Sequence, residues 1–398
     1  MKGTNPSPGG AAAASMEGLA VTAPASGQSR DFGPTLNPRY PTGWWIIALS
    51  TDAPLGRAIP LRVLENDLVL WRDHTGGAHC QAAHCLHLGA HLGYGGEVRR
   101  RPSGDTLQCP FHGWRYDGRG ALAEQIGPPR PARNLCLATY RIVERDGVIL
   151  LWNGSAEPDH TVPDLFQYYG VSRNDYFTVA HRLHMPFPAK YFAENICDGM
   201  HFAVAHGAAE WGEAIALEET RTAIRIKNQL YNFRPWYTWR NLVRLYRRGE
   251  LMNILTPVRG SLTSTSFGAT IHFTHIDNTG RWGDHVVCWT PTDVDAHHFF
   301  AIDMVPRYKF GIGERLWRKA IEQVLRRGLY STAVQDAALL THRAERPRPP
   351  YASFDKGLIA FRRHWDSRIE AEVVDGDGIR SNGTRAGIRP RREPRSSP

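Results

Sequence analysis

Two short loops, Cys85-Leu-His and Cys109-Pro-Phe-His, decide how this sequence folds. Each loop holds one cysteine and one histidine, and the loops lie among short apolar runs separated by glycine, aspartate and asparagine turns. One thiolate and one imidazole from each of two tight turns form a four-ligand site for a soft or borderline metal. We therefore predict a small all-β domain, residues 40–155, that is built around a metal site.

The order of the ligands separates two kinds of metal site. Structural zinc sites mostly use closely spaced pairs of cysteines and closely spaced pairs of histidines. Each loop here instead pairs one cysteine with one histidine. In a Rieske [2Fe-2S] cluster one iron binds two thiolates and the other binds two imidazoles, so each loop must supply one of each. The pattern favours the mixed-ligand cluster, and a structural zinc site stays open as the alternative.

The stretches around both loops resemble the Rieske domain of the non-haem iron oxygenases. They are His84-Cys-Leu-His-Leu-Gly-Ala-His-Leu-Gly93 and Gln108-Cys-Pro-Phe-His-Gly-Trp-Arg-Tyr-Asp-Gly118. The resemblance implies that Cys85 and Cys109 bind one iron, and that His87 and His112 bind the other. Four further side chains of metal-binding type lie close by and are predicted to be packing, surface or supporting residues: His79, Cys80, His84 and His91.

The segment between the loops departs from the common family spacing. Arg99–Asp105 lengthens the hairpin, which affects its tip rather than the ligands. The basic residues Arg99–Arg101 and Arg115 lie beside the cluster loops. They are equally consistent with attraction of an acidic ferredoxin and with a solvated loop.

A second constellation begins at Glu194-Asn and includes Asp198, His201 and His206. Apolar and small residues at helical spacing predict one helix over 192–206, ending at Gly207. On such a helix Asp198 and His201 share a face, and His206 lies near the helix end. Two histidines and one carboxylate hold three positions of ferrous iron and leave the opposite face open to O2 and substrate.

The order Asp-x2-His-x4-His, preceded by Glu-Asn, resembles the mononuclear-iron motif of the same family. The resemblance implies that His201 and His206 bind the iron and that Asp198 does not. Asp198 instead matches a bridging aspartate, which accepts hydrogen bonds from His201 and from the His112 ring of a neighbouring subunit. Asn195 is expected near the iron.

The third iron ligand is predicted to lie on a long helix over 313–343, where apolar residues recur at three- and four-residue steps. Family members have an acidic residue on this helix, and Asp336, among small apolar neighbours, is the best match. Glu322 and Asp303 are the rivals. Glu322 lies among basic residues on a solvent face, and Asp303 lies in a strand-like run.

The whole chain is predicted to be α+β, with the all-β Rieske domain followed by a larger mononuclear-iron catalytic domain over 156–375. Alternating residues over 262–304 predict antiparallel strands in this domain. A disordered leader, 1–35, and a basic disordered tail, 376–398, complete the chain. The aromatic-rich segment 231–239 is predicted to pack rather than to line a pocket.

Composition limits the function classes. The net charge is +9, but residues 378–398 alone contain six arginines and one glutamate, which favours a solvated tail over a nucleic-acid arm. No apolar run is long enough to span a membrane, and the first thirty residues lack the order of a secretory signal. Six cysteines in 398 residues are too few for a disulfide framework, so a reducing, cytoplasmic setting is predicted.

The C-terminal stretch Tyr351–Trp365 resembles the single-subunit branch of the family. That branch includes 3-ketosteroid 9α-hydroxylase, cholesterol 7-desaturase, aminopyrrolnitrin oxygenase and the prodiginine cyclases. The resemblance implies a homotrimeric terminal oxygenase that uses O2. Because the chain has no Gly-x-Gly-x-x-Gly fingerprint and no second cysteine cluster, electrons are expected from a separate ferredoxin or NAD(P)H-dependent reductase.

The substrate class stays open at this point. A monooxygenase-type tailoring reaction in natural-product biosynthesis, on a bulky apolar polycyclic or heteroaromatic metabolite, is favoured. Steroid hydroxylation or desaturation, arylamine N-oxidation and oxidative cyclisation are alternatives within the family. A zinc-stabilised DNA-binding protein would leave the second constellation unexplained. An electron-transfer Rieske protein without catalysis would leave the long second domain without a role.

Overall fold

The computed structural model describes residues 35–126, 135–206, 211–231, 260–276, 284–307, 313–346 and 348–370. The predicted leader lies outside these ranges except for Thr35. The predicted tail, the Gly207 helix end and the aromatic segment beyond Tyr231 also lie outside them.

The N-terminal part is all β, as predicted. The strands among its described residues are β1 Gly43–Leu49, β2 Ala58–Val63, β3 Asn66–Arg72, β4 Ala78–Ala82, β5 Glu97–Arg99, β6 Thr106–Gln108, β7 Arg115–Asp117, β8 Leu122–Glu124, β9 Thr139–Tyr140, β10 Ile142–Arg145 and β11 Val148–Asn153. They form three sheets in the orders β2-β3-β4-β9, β5-β6-β7-β8 and β1-β11-β10, and every pairing is antiparallel. The first loop follows β4, and the second joins β6 to β7.

The second loop depends on one glycine. Gly113 has a φ of +70°, in the left-handed region that favours glycine. A Cβ added at this position would lie 2.2 Å from the Ile126 Cδ1 atom. Any other residue at this position would therefore strain the backbone and clash with Ile126.

The C-terminal part combines one large sheet with helices, which confirms the predicted α+β class. Its strands are β12 Tyr176–Met185, β13 Trp211–Glu219, β14 Ala223–Tyr231, β15 Gly260–Phe267, β16 Ile271–Ile276, β17 His285–Asp293 and β18 Ala296–Pro306. They pair antiparallel in the order β12-β18-β17-β16-β15-β14-β13. The helices are α1 Leu165–Tyr168, α2 Ala189–Asn195, α3 Gly199–Val204, α4 Gly313–Leu340 and α5 Lys356–Ser367.

The two parts share one hydrophobic core. Strands β1 and β11 contribute buried residues to the same cluster as the large sheet and α5. Two threonine hydroxyls, one in β17 and one directly before β16, donate hydrogen bonds to backbone oxygens of β1. Thr290 donates to Ile46 at 2.6 Å, and Thr270 donates to Trp44 at 2.5 Å. The Rieske-type part is therefore fixed directly against the sheet that supports the second site.

The prediction of one continuous helix over 192–206 is wrong. The structure has two helices, α2 and α3, separated by residues 196–198. The Asp198 carboxylate accepts hydrogen bonds from the backbone N–H groups of Met200, at 2.8 Å, and His201. An aspartate that caps a new helix in this way competes with continuation of the preceding one.

Helices α2 and α5 cover one face of the large sheet. Phe192 of α2 stacks on Trp289 at a centroid distance of 5.5 Å, and Phe361 of α5 lies 5.5 Å from His272. His272 is fully buried, and neither ring nitrogen has a hydrogen-bond partner among the described residues. This face therefore holds a neutral histidine between the sheet and the helices.

The buried His272 is expected to make the fold acid-sensitive. Burial, with a smaller contribution from His364, lowers the pKa of His272 to about 3, whereas an unfolded histidine titrates near ~6.5. Below the unfolded pKa only the unfolded chain binds this proton, so stability is full above pH ~6.5 and falls as the pH drops toward the folded pKa. His272→Phe should remove about 2 kcal/mol of this loss at about pH 5.

The measurement is the free energy of unfolding by denaturant at several pH values between about 7 and 5. His84→Phe, which changes an exposed ring, is the control. An unchanged pH slope in His272→Phe would contradict the expectation.

Candidate functional site

The two cluster loops place their cysteine side chains inside the domain and their histidine side chains at its surface. The Cys85 and Cys109 side chains are buried next to each other in the small core of this domain. The His87 and His112 rings are exposed and lie in contact, with centroids 4.7 Å apart. The structure therefore places the thiols as one pair inside and the imidazoles as another pair at the surface.

Two aromatic residues complete this arrangement. The Tyr116 hydroxyl lies 3.2 Å from the Cys85 sulfur and accepts a hydrogen bond from the Leu86 N–H at 3.1 Å. Trp114 stacks on His87 at 4.7 Å with an interplanar angle of 10°. Paired thiols with a hydrogen-bonding hydroxyl beside one sulfur, and paired imidazoles on the other side, fit the donor set of a Rieske [2Fe-2S] cluster.

A separate group of metal-binding type lies in the second domain. It consists of His201 from α3, His206 just after α3, and Asp336 from α4, and their ligand atoms all lie within 4.8 Å of one another. No other set of three or more such residues comes this close within the part of the chain that the structure describes. Asp336 is only 4% exposed, so the carboxylate lies in a low-dielectric setting where a cationic partner is needed.

Both histidine rings present the same nitrogen to this group. Nδ1 of His201 is hydrogen-bonded to the Asp198 backbone oxygen at 2.6 Å, and Nδ1 of His206 to the Gln335 side-chain oxygen at 2.8 Å. Nε2 of His206 is buried and lies 3.2 Å from the Asp336 Oδ1 atom. A buried imidazole nitrogen beside a second imidazole and a carboxylate fits a divalent iron site.

The pKa directions reflect the same contacts. Burial lowers the pKa of His201, which keeps that ring neutral, as a metal ligand must be. Burial also acts to lower the pKa of His206, but Asp336 and Gln335 outweigh it and raise the pKa. Within the chain, His206 and Asp336 therefore stabilise each other as an ion pair.

Asn195 contacts one member of this group directly. Its side-chain Nδ2 donates to the Asp336 Oδ1 atom at 3.0 Å. This bond joins the end of α2 to α4 and fixes one carboxylate oxygen.

Asp198 differs from the expectation. The His201 ring contacts the Asp198 backbone oxygen, not its carboxylate, which instead accepts the two N–H groups at the start of α3. Within one chain the residue acts as a helix cap that also orients His201. The bond from the His112 ring of a neighbouring subunit stays a prediction.

The two rivals of Asp336 lie elsewhere. Glu322 is exposed on α4. Asp303 lies in β18, 3.7 Å from the His181 Nε2 atom, and burial raises its pKa to about 7. Neither is part of the group formed by His201, His206 and Asp336.

Sequence reasoning missed a buried ion cluster beside this group. Glu194 is 3% exposed and accepts hydrogen bonds from Arg343 at 2.5 Å and from Arg362 at 2.7 and 2.8 Å. The cluster joins α2, the segment after α4, and α5. The only signal in the sequence was the Glu-Asn dipeptide, which does not reveal the two distant arginines.

The basic residues near the cluster loops are largely paired. Arg99 contacts Glu97, Arg101 lies 3.6 Å from Glu124, and Arg115 lies 2.9 Å from the same glutamate. Their positive charge is therefore partly neutralised, which weakens their use as a docking patch for an acidic partner.

Comparison with protein families identifies the N-terminal part. Residues 43–141 match the Rieske [2Fe-2S] domain. The chain is 31% identical over 186 residues to cholesterol 7-desaturase of Bombyx mori, and the match covers 46% of this chain and 39% of the relative. It is 30% identical over 172 residues to aminopyrrolnitrin oxygenase PrnD of Pseudomonas fluorescens, covering 41% and 45%.

A third relative is the oxygenase component of 3-ketosteroid-9-alpha-monooxygenase from Rhodococcus rhodochrous. It is 30% identical over 186 residues, covering 44% of this chain and 47% of the relative. The chain thus spans less than half the length of the curated relatives it matches.

Solved structures extend the likeness to the whole fold. Dicamba monooxygenase bound to dicamba has a TM-score of 0.62 at 21% identity, covering 82% of this chain and 96% of that one. The terminal oxygenase of carbazole 1,9a-dioxygenase from Nocardioides aromaticivorans IC177 has a TM-score of 0.62 at 14% identity, covering 83% and 94%. The predicted resemblance to Rieske oxygenase components is confirmed.

None of the helices within the described ranges has the length and apolar character that a membrane span requires.

Proposed function

We propose that this chain, which has a Rieske [2Fe-2S] domain and the fold of Rieske oxygenases, is the terminal oxygenase component of a Rieske non-haem iron oxygenase system. It would use O2 and electrons from a separate ferredoxin or NAD(P)H-dependent reductase, in the cytoplasm, to oxidise a small organic molecule. The observation that supports this most is the close group of His201, His206 and the buried Asp336, which is distinct from the cluster loops.

The residues of the chain have separate tasks in this proposal. When bound, the cluster supplies one-electron transfer and the ferrous iron supplies a site at which O2 reacts. His201, His206 and Asp336 would hold the ferrous iron from one side. Asn195 holds the Asp336 carboxylate through the 3.0 Å hydrogen bond. Burial of Asp336 keeps water away from this side of the site.

The exposed imidazole pair supports assembly with other copies. Three large apolar side chains close to it in the sequence are strongly exposed: Leu88 at 65%, Tyr94 at 69% and Phe111 at 62%. Exposed apolar groups of this kind are typical of contact surfaces. The homotrimer implied by the family resemblance would cover them with a neighbouring subunit.

The covered face of the large sheet favours a substrate with hydrogen-bonding groups. Four residues share this face by strand register, and each has a buried polar atom that finds no hydrogen-bond partner in the part of the chain that the structure describes: Asn228, Ser264, His272 and Trp289. A Cβ on Gly199, at the start of α3, would lie 3.1 Å from the Asn228 Oδ1 atom. One of these groups, Asn228, therefore lies against the start of the helix that contains His201. They favour a heteroaromatic metabolite with polar atoms over a sterol.

The two alternative classes explain less. A zinc-stabilised DNA-binding protein has no use for His201, His206 and Asp336, and the relatives give it no support. An electron-transfer Rieske protein without catalysis leaves the same three residues without a role. Both alternatives differ from the proposal in their metal content.

The test is the content of iron and acid-labile sulfide in the purified chain, with EPR of the dithionite-reduced protein. We expect about three irons and two sulfides per chain, and a reduction potential between roughly −150 and +300 mV. About two irons per chain would mean that the cluster is present without the mononuclear iron, so the chain would only transfer electrons. Zinc without sulfide would overturn the oxygenase proposal.

Once the iron content is established, polar heteroaromatics should raise the melting temperature of the protein more than sterols do, because ligands that bind the native state stabilise it.

A further inference from the structure

We infer that Gln335 is a positioning residue for the metal group, because its side-chain amide fixes the ring of His206 with Nε2 directed at Asp336 and His201. The inference rests on the proposed function, since it requires a metal at this group. It concerns a residue that does not itself bind the metal.

His206 needs support from outside its own segment. Helix α3 ends at Val204, so His206 follows the last helical turn. His201 lies within α3, and its ring is oriented by a backbone oxygen of the same segment, that of Asp198 at 2.6 Å. No hydrogen bond from its own segment orients the His206 ring within the described residues, and its Nδ1 partner is 129 positions away in the chain.

Two adjacent residues of α4 face the two nitrogens of the His206 ring. The Gln335 Oε1 atom lies 2.8 Å from Nδ1, and the Asp336 Oδ1 atom lies 3.2 Å from Nε2. Because an amide oxygen only accepts, it holds the hydrogen on Nδ1, so Nε2, which faces Asp336, is the nitrogen that a metal would bind in place of a proton. The same helix therefore supplies both a ligand and the residue that aims the neighbouring ligand.

Replacement of Gln335 by leucine keeps the approximate size of the side chain and removes the acceptor. The His206 ring then loses the contact that defines its tautomer and its orientation, and its Nδ1–H loses its partner. Residues that support a metal-bound histidine typically contribute about 10- to 100-fold to metal affinity. Replacement by glutamate keeps an acceptor at the same reach, so it should restore binding.

The probe is Co(II), titrated into the cluster-containing protein after the mononuclear metal has been removed. Its visible bands report the dissociation constant without any turnover. Gln335→Leu should weaken Co(II) binding about 10- to 100-fold. Gln335→Glu should bind at least as tightly as the unaltered protein. Gln323→Leu, an exposed position on the same helix, should leave affinity unchanged.

A second readout separates orientation from general loosening of the fold. NMR of the Co(II) protein should show a hyperfine-shifted, exchangeable His206 N–H signal that persists in Gln335→Glu and is lost in Gln335→Leu. Equal Co(II) affinity in Gln335→Leu and the unaltered protein, or failure of glutamate to restore binding, would overturn the inference. If the unaltered protein binds no Co(II) outside the cluster, the proposed function itself fails.

Discussion

Asp336→Asn is expected to abolish turnover while leaving the cluster intact. Asparagine has nearly the same shape, and its side-chain oxygen can still accept the hydrogen bond that Asn195 now donates to Asp336 at 3.0 Å. The substitution therefore removes the negative charge with little change in packing. Two neutral imidazoles and a neutral amide bind Fe(II) far more weakly than a set with a carboxylate. Activity should fall by more than the roughly 10- to 100-fold typical of losing a supporting residue.

Metal analysis gives the sharper readout of this variant. Iron should fall from about three to about two per chain, with sulfide and the EPR signal of the reduced cluster unchanged. Glu322→Gln is the matched control, because it removes a carboxylate from the exposed side of the same helix. It should keep all the iron. Full iron content in Asp336→Asn would place the third ligand elsewhere, with Asp303→Asn as the next variant to examine.

The parts of the site that sequence predicts are those encoded by short spacings. The Cys85 and Cys109 loops, and the His201 to His206 interval, each lie within one segment of the chain, so the pattern of residues is visible locally. Asp336 is predicted at a distance only because the family resemblance implies an acidic residue on the long helix, where its small apolar neighbours make it the best match. The structure brings these residues together in two separate groups.

The parts that sequence does not predict depend on contacts between distant segments. Gln335 and Glu194 lie next to predicted site residues, but the sequence pattern gives neither of them a role. Their roles arise from partners more than a hundred positions away: His206 for Gln335, and Arg343 and Arg362 for Glu194. Spacing rules describe one helix or one loop at a time and contain no information on such pairs.

The break between α2 and α3 was not predicted for a different reason, which is local to the segment. The apolar spacing over 192–206 fits one helix, and the periodicity alone cannot show where the backbone leaves it. Asp198 sets the position of the break, because its carboxylate accepts hydrogen bonds from the N–H groups of Met200 and His201 and so starts a new helix there. The break also brings the Asp198 backbone oxygen within 2.6 Å of the His201 ring. A residue expected to act through its carboxylate therefore acts within this chain partly through its backbone.

Cys109→Ser is expected to remove the cluster and to leave the mononuclear site. A serine hydroxyl is a hard, weakly acidic ligand and replaces thiolate poorly at iron–sulfur sites. The Cys109 side chain is only 1% exposed and lies beside Cys85, so the loop offers no other sulfur at this point. Acid-labile sulfide and colour should disappear, and iron should fall from about three to about one per chain. Turnover driven by any electron donor should stop.

Cys80→Ser is the matched control for this loss. Cys80 is equally buried, at 2% exposure, but it belongs to the large shared core rather than to the cluster loops. Burial raises the pKa of its thiol to about 12, so it stays protonated and is a poor ligand. The control should therefore lose some stability and no iron. Sulfide retained in Cys109→Ser would contradict the ligand assignment. Because Asp336→Asn removes one iron and Cys109→Ser removes the other two, the paired result would establish that the chain holds two independent iron sites.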